Sequence, residues 1–217
     1  MVTKKTLKRL LLYVSGLTLL GLCVTLMQKT HLGMSSWDAL NRNFYEGIPL
    51  DYKYLTPIFA WVMISLAYVI ERRRPDRYML VPLVISFYIG VVIDTLLLVI
   101  PSMVDRLIFG NLLYLLLAIV VCAIGLNLII LSTYPLPALD AFCIALSHRL
   151  HISFGMGKLI GEIIALCVTV GVGFLFYHQE HWFYIGPTTV IFAGLIGFFV
   201  DGFKKPLTYV FGARNDH

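Results

Sequence analysis

Six stretches of this chain, Leu10–Met27, Tyr54–Ile70, Met79–Ile100, Leu107–Leu131, Leu159–Phe176 and Trp182–Val200, run for 17 to 25 residues and carry very few charges. That is the length an α-helix needs to cross a bilayer. Inside lipid only helices and closed barrels satisfy their own backbone groups. Composition agrees: 59% of the 217 residues are apolar and 13% are charged, against about 25% charged in an ordinary soluble domain. So little charge cannot cover a water-facing surface, which excludes a single soluble globular domain. Disorder, collagen and coiled coil are excluded too, since no low-complexity tract, Gly-X-Y period or charged heptad is present.

The net charge of +5 does not point to nucleic acid, because the charges fall in short clusters between the apolar runs. Charge placed that way sets membrane orientation. With the N-terminus inside, the cytoplasmic segments hold 13 of the Lys and Arg residues. Lys29, Arg42, Lys53 and Arg106 are left outside, a split of 13 to 4. Both termini are therefore expected in the cytoplasm. The first run follows Lys4, Lys5, Lys8 and Arg9 as a signal peptide would, but no small-residue cleavage site comes after it, and it reads as a retained span.

The two halves echo each other at an offset of about 102–107 residues. Gly21-Leu22 is matched by Gly125-Leu126, Ser35-Ser36-Trp37-Asp38-Ala39-Leu40 by Pro137-Ala138-Leu139-Asp140-Ala141-Phe142, and Ile89-Gly90…Asp94 by Ile196-Gly197…Asp201. Three spans per half is an odd number, so the halves must lie upside down relative to each other. The expectation is an all-α integral membrane protein with six spans in two inverted three-helix repeats, about 8–103 and 107–205, and a cytoplasmic tail at 206–217. Secondary transporters often have this arrangement; an old duplication retained only for packing is the alternative. Each first span is followed by a segment too short to cross, 35–45 and 137–146. Both read as half-helices that re-enter the protein or lie at the interface.

Ionisable side chains inside a membrane cost roughly 2.5–3.5 kcal/mol each, so those present need a reason. Asp38 and Asp140 fall in the first turns of the half-helices. Ser35-x-x-Asp38 has the form of a capping box, and either acid could instead form part of a site that prefers a proton, a metal cation or an amine to an anion. Asp94 and Asp201 sit late in the third span of each half, near opposite membrane faces. They serve either as interface residues, Asp201 pairing with Lys204 or Lys205, or as gate carboxylates. Lys158 and Glu162, four residues apart, share a helix face. Their repeat positions fall near Leu55 and Phe59, so this pair breaks the symmetry. It is either a structural ion pair or a determinant of selectivity. Trp37 and Asn127 complete the candidate substrate or ion-binding residues with an aromatic wall and a hydrogen bond.

The remaining features carry less. His178 and His181 lie in a short external loop beside Trp182, and His148 and His151 flank Arg149 where lipid headgroups are the natural contact. Cys23, Cys122, Cys143 and Cys167 have no metal or redox spacing and read as small buried residues. No GxSxG, HExxH or P-loop is present, so neither an enzyme activity, a metal nor a cofactor is expected. The partners expected are the lipid bilayer and an unknown small solute or cation; the small size also leaves room for a homodimer.

The run His31-Leu32-Gly33-Met34-Ser35-Ser36-Trp37-Asp38, its echo Tyr134-Pro135-Leu136-Pro137-Ala138-Leu139-Asp140, and the Ile196-Gly197…Asp201 end of the sixth span resemble the YczE/YyaS/YitT-like group of bacterial multi-pass membrane proteins. The family pattern is similar to Gly-x-x-Pro-Trp-Asp; here Ser35 or Ser36 stands in the proline position, and the second copy keeps proline but lacks tryptophan. The resemblance implies a multi-pass protein of the bacterial cytoplasmic membrane and names no substrate. Three functional readings follow: a small-solute secondary transporter or permease, the substrate-binding membrane subunit of an ATP-driven vitamin-type importer, and a membrane scaffold or regulator that transports nothing.

Overall fold

The computed structural model describes residues 4–30, 32–47, 52–74, 76–102, 108–176 and 184–212. Every regular element among them is helical. In chain order these are α1 (Lys4–Thr30), α2 (Ser36–Gly47), α3 (Tyr52–Ile70), α4 (Val81–Val99), α5 (Ile108–Ser132), α6 (Ala138–Leu150), α7 (Phe154–Phe176) and α8 (Pro187–Leu207). A 3-10 turn at Arg77–Leu80 leads into α4, and a π turn at Thr208–Gly212 follows α8. Helices α1, α4, α5 and α7 are long and apolar enough to cross a membrane. Among the helices without that standing, α3 is apolar from Pro57 to Ile70. The last two turns of α8 carry Asp201, Lys204 and Lys205, leaving only residues 187–200 free of charge. The protein is a helical membrane protein, and its surface says the same. Leu98, Phe87, Phe109 and Val84 expose 89, 77, 77 and 71% of their area, which suits lipid and would be costly in water.

The apolar runs mark the helices but not their ends. The fifth run, read from Leu159, belongs to a helix that starts at Phe154, because Ser153 caps its first turn by accepting the Met156 N–H at 3.2 Å. The sixth, read from Trp182, belongs to a helix that starts at Pro187, with Gly186 and Thr189 closing its first turn; Trp182 itself lies outside the described residues, as do His178 and His181. Lys158, counted above among the cytoplasmic charges, is 6% exposed.

Helices α1 and α5 form the central pair. Their contacts run in opposite senses. Tyr13 donates to the Pro135 carbonyl at 2.7 Å, Gly16 backs onto Gly125, and Cys23 meets Cys122, so the two helices are antiparallel. Small residues permit the approach, since a Cβ on Gly16 would press on the Gly125 carbonyl and one on Gly125 on the Gly16 carbonyl. Around this pair, α4 packs on α1 and α8 on α5, while the short helices cross over, α2 packing on α7 and α6 on α3. Gly157 and Gly161 let α7 lie against Ser147 and Cys143 of α6, so that small-residue stripe is used within the chain. Cys23, Cys122 and Cys143 are buried as expected, but Cys167 is exposed, since its side of α7 packs on no other described helix.

The two central helices end in the same way. At Thr30 and at Ser132 a hydroxyl donates to the carbonyl three residues back, at 2.7 and 2.6 Å, and accepts the N–H two residues on, at 3.4 and 3.2 Å. Helices α2 and α6 then begin at Ser36 and Ala138. Both pairs of positions differ by 102, the separation of Asp38 from Asp140. In that register Gly21 aligns with Ala123 rather than with Gly125, which corrects the Gly-Leu match drawn from sequence.

Candidate functional site

Each short helix starts inside the protein, and the reason is local. Ser35 precedes α2, accepts the Asp38 N–H at 3.3 Å and donates to Asp38 Oδ2 at 2.5 Å. This is the capping arrangement that the Ser35-x-x-Asp38 spacing predicts. Helix α6 starts behind Pro137 with no side-chain cap. Its acid is engaged elsewhere: Lys158 Nζ of α7 donates to Asp140 Oδ1 at 2.7 Å and lies 3.5 Å from Glu162 Oε1. Asp140, Lys158 and Glu162 are all buried, at 5, 6 and 1% exposure. A buried pair must overcome the desolvation of both charges, so one lysine between two carboxylates is an expensive device to keep. Thr169, two turns beyond Glu162, donates to the Ser36 carbonyl and fixes the start of α2 against α7.

These residues face a cavity of about 710 Å³. Asp38, Asp140, Lys158, Glu162, Trp37 and Asp94 all line it, with Asn41 and Arg42 beside them. Six of the eight sequence candidates are thus brought to one space. Trp37 stands edge-on to Phe142 of α6, with ring centroids 6.0 Å apart, and so joins the two short helices as one wall.

Two polar atoms lining this space, Trp37 Nε1 and Asn41 Oδ1, are buried with no hydrogen-bond partner among the described residues, and the buried Ser36 hydroxyl and Glu162 carboxylate face each other beside it. Leaving a buried donor or acceptor unpaired costs about 1–3 kcal/mol. Such atoms beside a cavity call for a partner within it, a water or a polar solute.

Two candidates lie elsewhere. Asn127 spends its amide on the Ala123 and Val200 carbonyls, both at 2.9 Å, and ties α5 to α8. Asp201 does not pair with Lys204 or Lys205. It accepts the Gly155 N–H at 3.0 Å and the Ser153 hydroxyl, and so caps α7 from α8. Gly155 and Gly197 lie back to back there, and a Cβ on either would run into the carbonyl of the other.

A family described as being of unknown function, DUF6198, matches residues 7–205. The chain belongs to that family. No curated protein and no solved structure matches the chain. The DUF6198 match begins in α1 and ends in the last turn of α8, and every residue lining the cavity falls within it.

Sequence reading missed Asn41 and Arg42, although their spacing from Asp38, three and four residues on, puts all three on one helical face. It also missed the Ser153–Gly155–Asp201 clasp. Nothing in the sequence marks which carboxylate will cap a helix from another element. Among the described residues no group of His, Cys, Asp and Glu is arranged to hold a metal ion.

Proposed function

We propose that this DUF6198 chain is a small-solute secondary transporter of the bacterial cytoplasmic membrane, with six spans in two inverted repeats, both termini inside and no enzymatic activity. The observation that carries this reading is the cavity where the two short helices begin, lined by buried charges and by Trp37 and Asn41, each with a polar atom that has no partner among the described residues. Discontinuous helices that start beside a central cavity are how many transporters hold solutes.

The packing scheme supports the inverted repeat. Exchanging α1 with α5, α2 with α6, α3 with α7 and α4 with α8 maps every major helix contact onto another. The α1–α4 contact becomes α5–α8, α2–α7 becomes α6–α3, α2–α3 becomes α6–α7, α3–α4 becomes α7–α8, and α1–α5 maps onto itself. An antiparallel central pair is what two upside-down copies produce. In this reading α3 and α8 also span, and the charged end of α8 lies at the cytoplasmic face beside Lys8, which donates to the Phe211 carbonyl at 2.7 Å.

The repeats differ in how they close. Helices α7 and α8 are held by Gly155, Gly197 and the Asp201 cap. At the repeat-related place in α4, no described residue lies within 4 Å of where a Cβ on Gly90 would stand, and Gly90, Val91, Asp94 and Leu97 line the cavity. A cavity lined by one carboxylate of the repeated pair, while the other is spent on capping a helix, is what this reading expects of one half of an alternating-access cycle.

The test is thermal unfolding of the purified protein in mild detergent against a panel of small cationic, anionic and neutral solutes. A solute at 100 times its Kd adds about 2.7 kcal/mol to stability. The proposal expects at least one to raise the midpoint in the native protein and not in the Asp38→Asn, Asp140→Asn double variant. A panel without effect would count against it and leave the scaffold reading.

A further inference from the structure

The charge and the unpaired atoms of this cavity define a chemical class, an inference that rests on reading the cavity as a solute site. Four carboxylates line it, Asp38, Asp94, Asp140 and Glu162, against two cations, Lys158 and Arg42. Arg42 is engaged over the Tyr184 ring, 5.3 Å from its centroid. Lys158 serves Asp140 and Glu162 together, so one ammonium answers two acids. Asp94 makes no hydrogen bond or ion pair among the described residues. Among the described residues the cavity leaves one acceptor, Asn41 Oδ1, and one donor, Trp37 Nε1, without a partner, and Glu162 keeps acceptor capacity beyond Ser36 and Lys158.

A bare metal ion fits these features poorly. The acids are spread over α2, α4, α6 and α7, none of them joins a metal-holding group, and the space far exceeds what an ion fills. An anion would meet the excess of carboxylates. A primary amine suits what is present: its N–H groups donate to Glu162 and Asn41, its charge offsets the acids, and its carbon part lies against the indole of Trp37. An acceptor elsewhere on the molecule answers Trp37 Nε1. We propose that the cavity binds a small organic amine in its protonated form, of the amino-alcohol kind, with Asp38, Asn41 and Glu162 as its contacts and Lys158 as the tethered ammonium that shares Glu162 with it.

The experiment compares full-length protein in mild detergent, at fixed pH and ionic strength, with the chlorides of methylammonium, ethanolamine and 1,4-diaminobutane. Sodium chloride, sodium acetate, sodium phosphate, glycerol and acetamide are the references. The expected result is a saturable rise in unfolding midpoint with an amine, largest for ethanolamine, and none with the references. Asp38→Asn and Asn41→Ala should each weaken the amine's apparent affinity by about tenfold or more; Asn41→Ala removes a side-chain oxygen without a partner among the described residues, so its fold is retained. Acetate, phosphate or a neutral solute acting while amines do not would overturn the amine assignment and leave the carrier reading standing. Sodium chloride reproducing the amine effect, or an amine effect unchanged in both variants, would also overturn it. No response to any solute would remove both readings.

Discussion

The end of α8 that meets α7 and the corresponding end of α4 have nearly the same sequence pattern and opposite surroundings. Ile196-Gly197…Asp201 is locked: Gly197 touches Gly155, and Asp201 caps α7 through the Gly155 N–H and the Ser153 hydroxyl. Ile89-Gly90…Asp94 lies beside open space, its glycine without a described neighbour and its carboxylate without a described partner. The difference teaches that the same Gly…Asp pattern does not dictate one contact: in α8 it caps a neighbouring helix, and in α4 it lines the cavity with no partner among the described residues.

The comparison can be broken at several points. The largest effect is expected at the asymmetric ion pair. Lys158→Met leaves Asp140 and Glu162 buried without their cation and should destabilise the protein by about 3–5 kcal/mol, read as a lowered unfolding midpoint. Next are the paired glycines. Gly197→Ala forces a Cβ into the Gly155 carbonyl and should cost about 1–3 kcal/mol, whereas Gly90→Ala meets open space and should be neutral or add up to about 1 kcal/mol through helix propensity. Equal effects from the two would show that the surroundings of the two glycines do not differ. The carboxylates follow the same logic at a similar scale. Asp201→Ala removes charge-assisted hydrogen bonds and should cost about 1.5–3 kcal/mol, and Asp94→Ala should stay within about 0.5 kcal/mol of the native protein. The smallest effect concerns the helix starts. Ser35→Ala removes the cap of α2 and should cost about 1 kcal/mol, while α6, capped by no side chain at Pro137, has no equivalent to lose.

Much of this was legible in the chain because lipid enforces simple rules. Long apolar runs gave the helices. Charged residues inside or between these runs at membrane depth gave Asp94 and Glu162 in the runs, Lys158 at the edge of one, and Asp38 and Asp140 in the short helices, since each is too costly to keep without a purpose. What stayed hidden depends on tertiary geometry. Asn127 and Asp201 look like site residues by position, yet each satisfies backbone groups of a neighbouring helix, which only the packing decides. Asn41 and Arg42 were passed over because polar residues in a short amphipathic helix also suit a membrane surface. Helix ends were misjudged where a cap, as at Ser153, extends the helix beyond its apolar run.

The transporter proposal requires the α7–α8 latch at Asp201 and the α4 segment at Asp94 to be two states of one exchange. The most direct measurement replaces the four native cysteines, introduces Asp94→Cys, and follows its labelling by a membrane-impermeant maleimide in intact cells. Labelling is compared with and without a Ser153→Cys, Asp201→Cys crosslink, and with Asp201→Ala. The account predicts strong labelling when the crosslink holds α7 to α8, and a several-fold drop when Asp201→Ala frees the latch and α4 can close. Labelling that is the same in all three would contradict it.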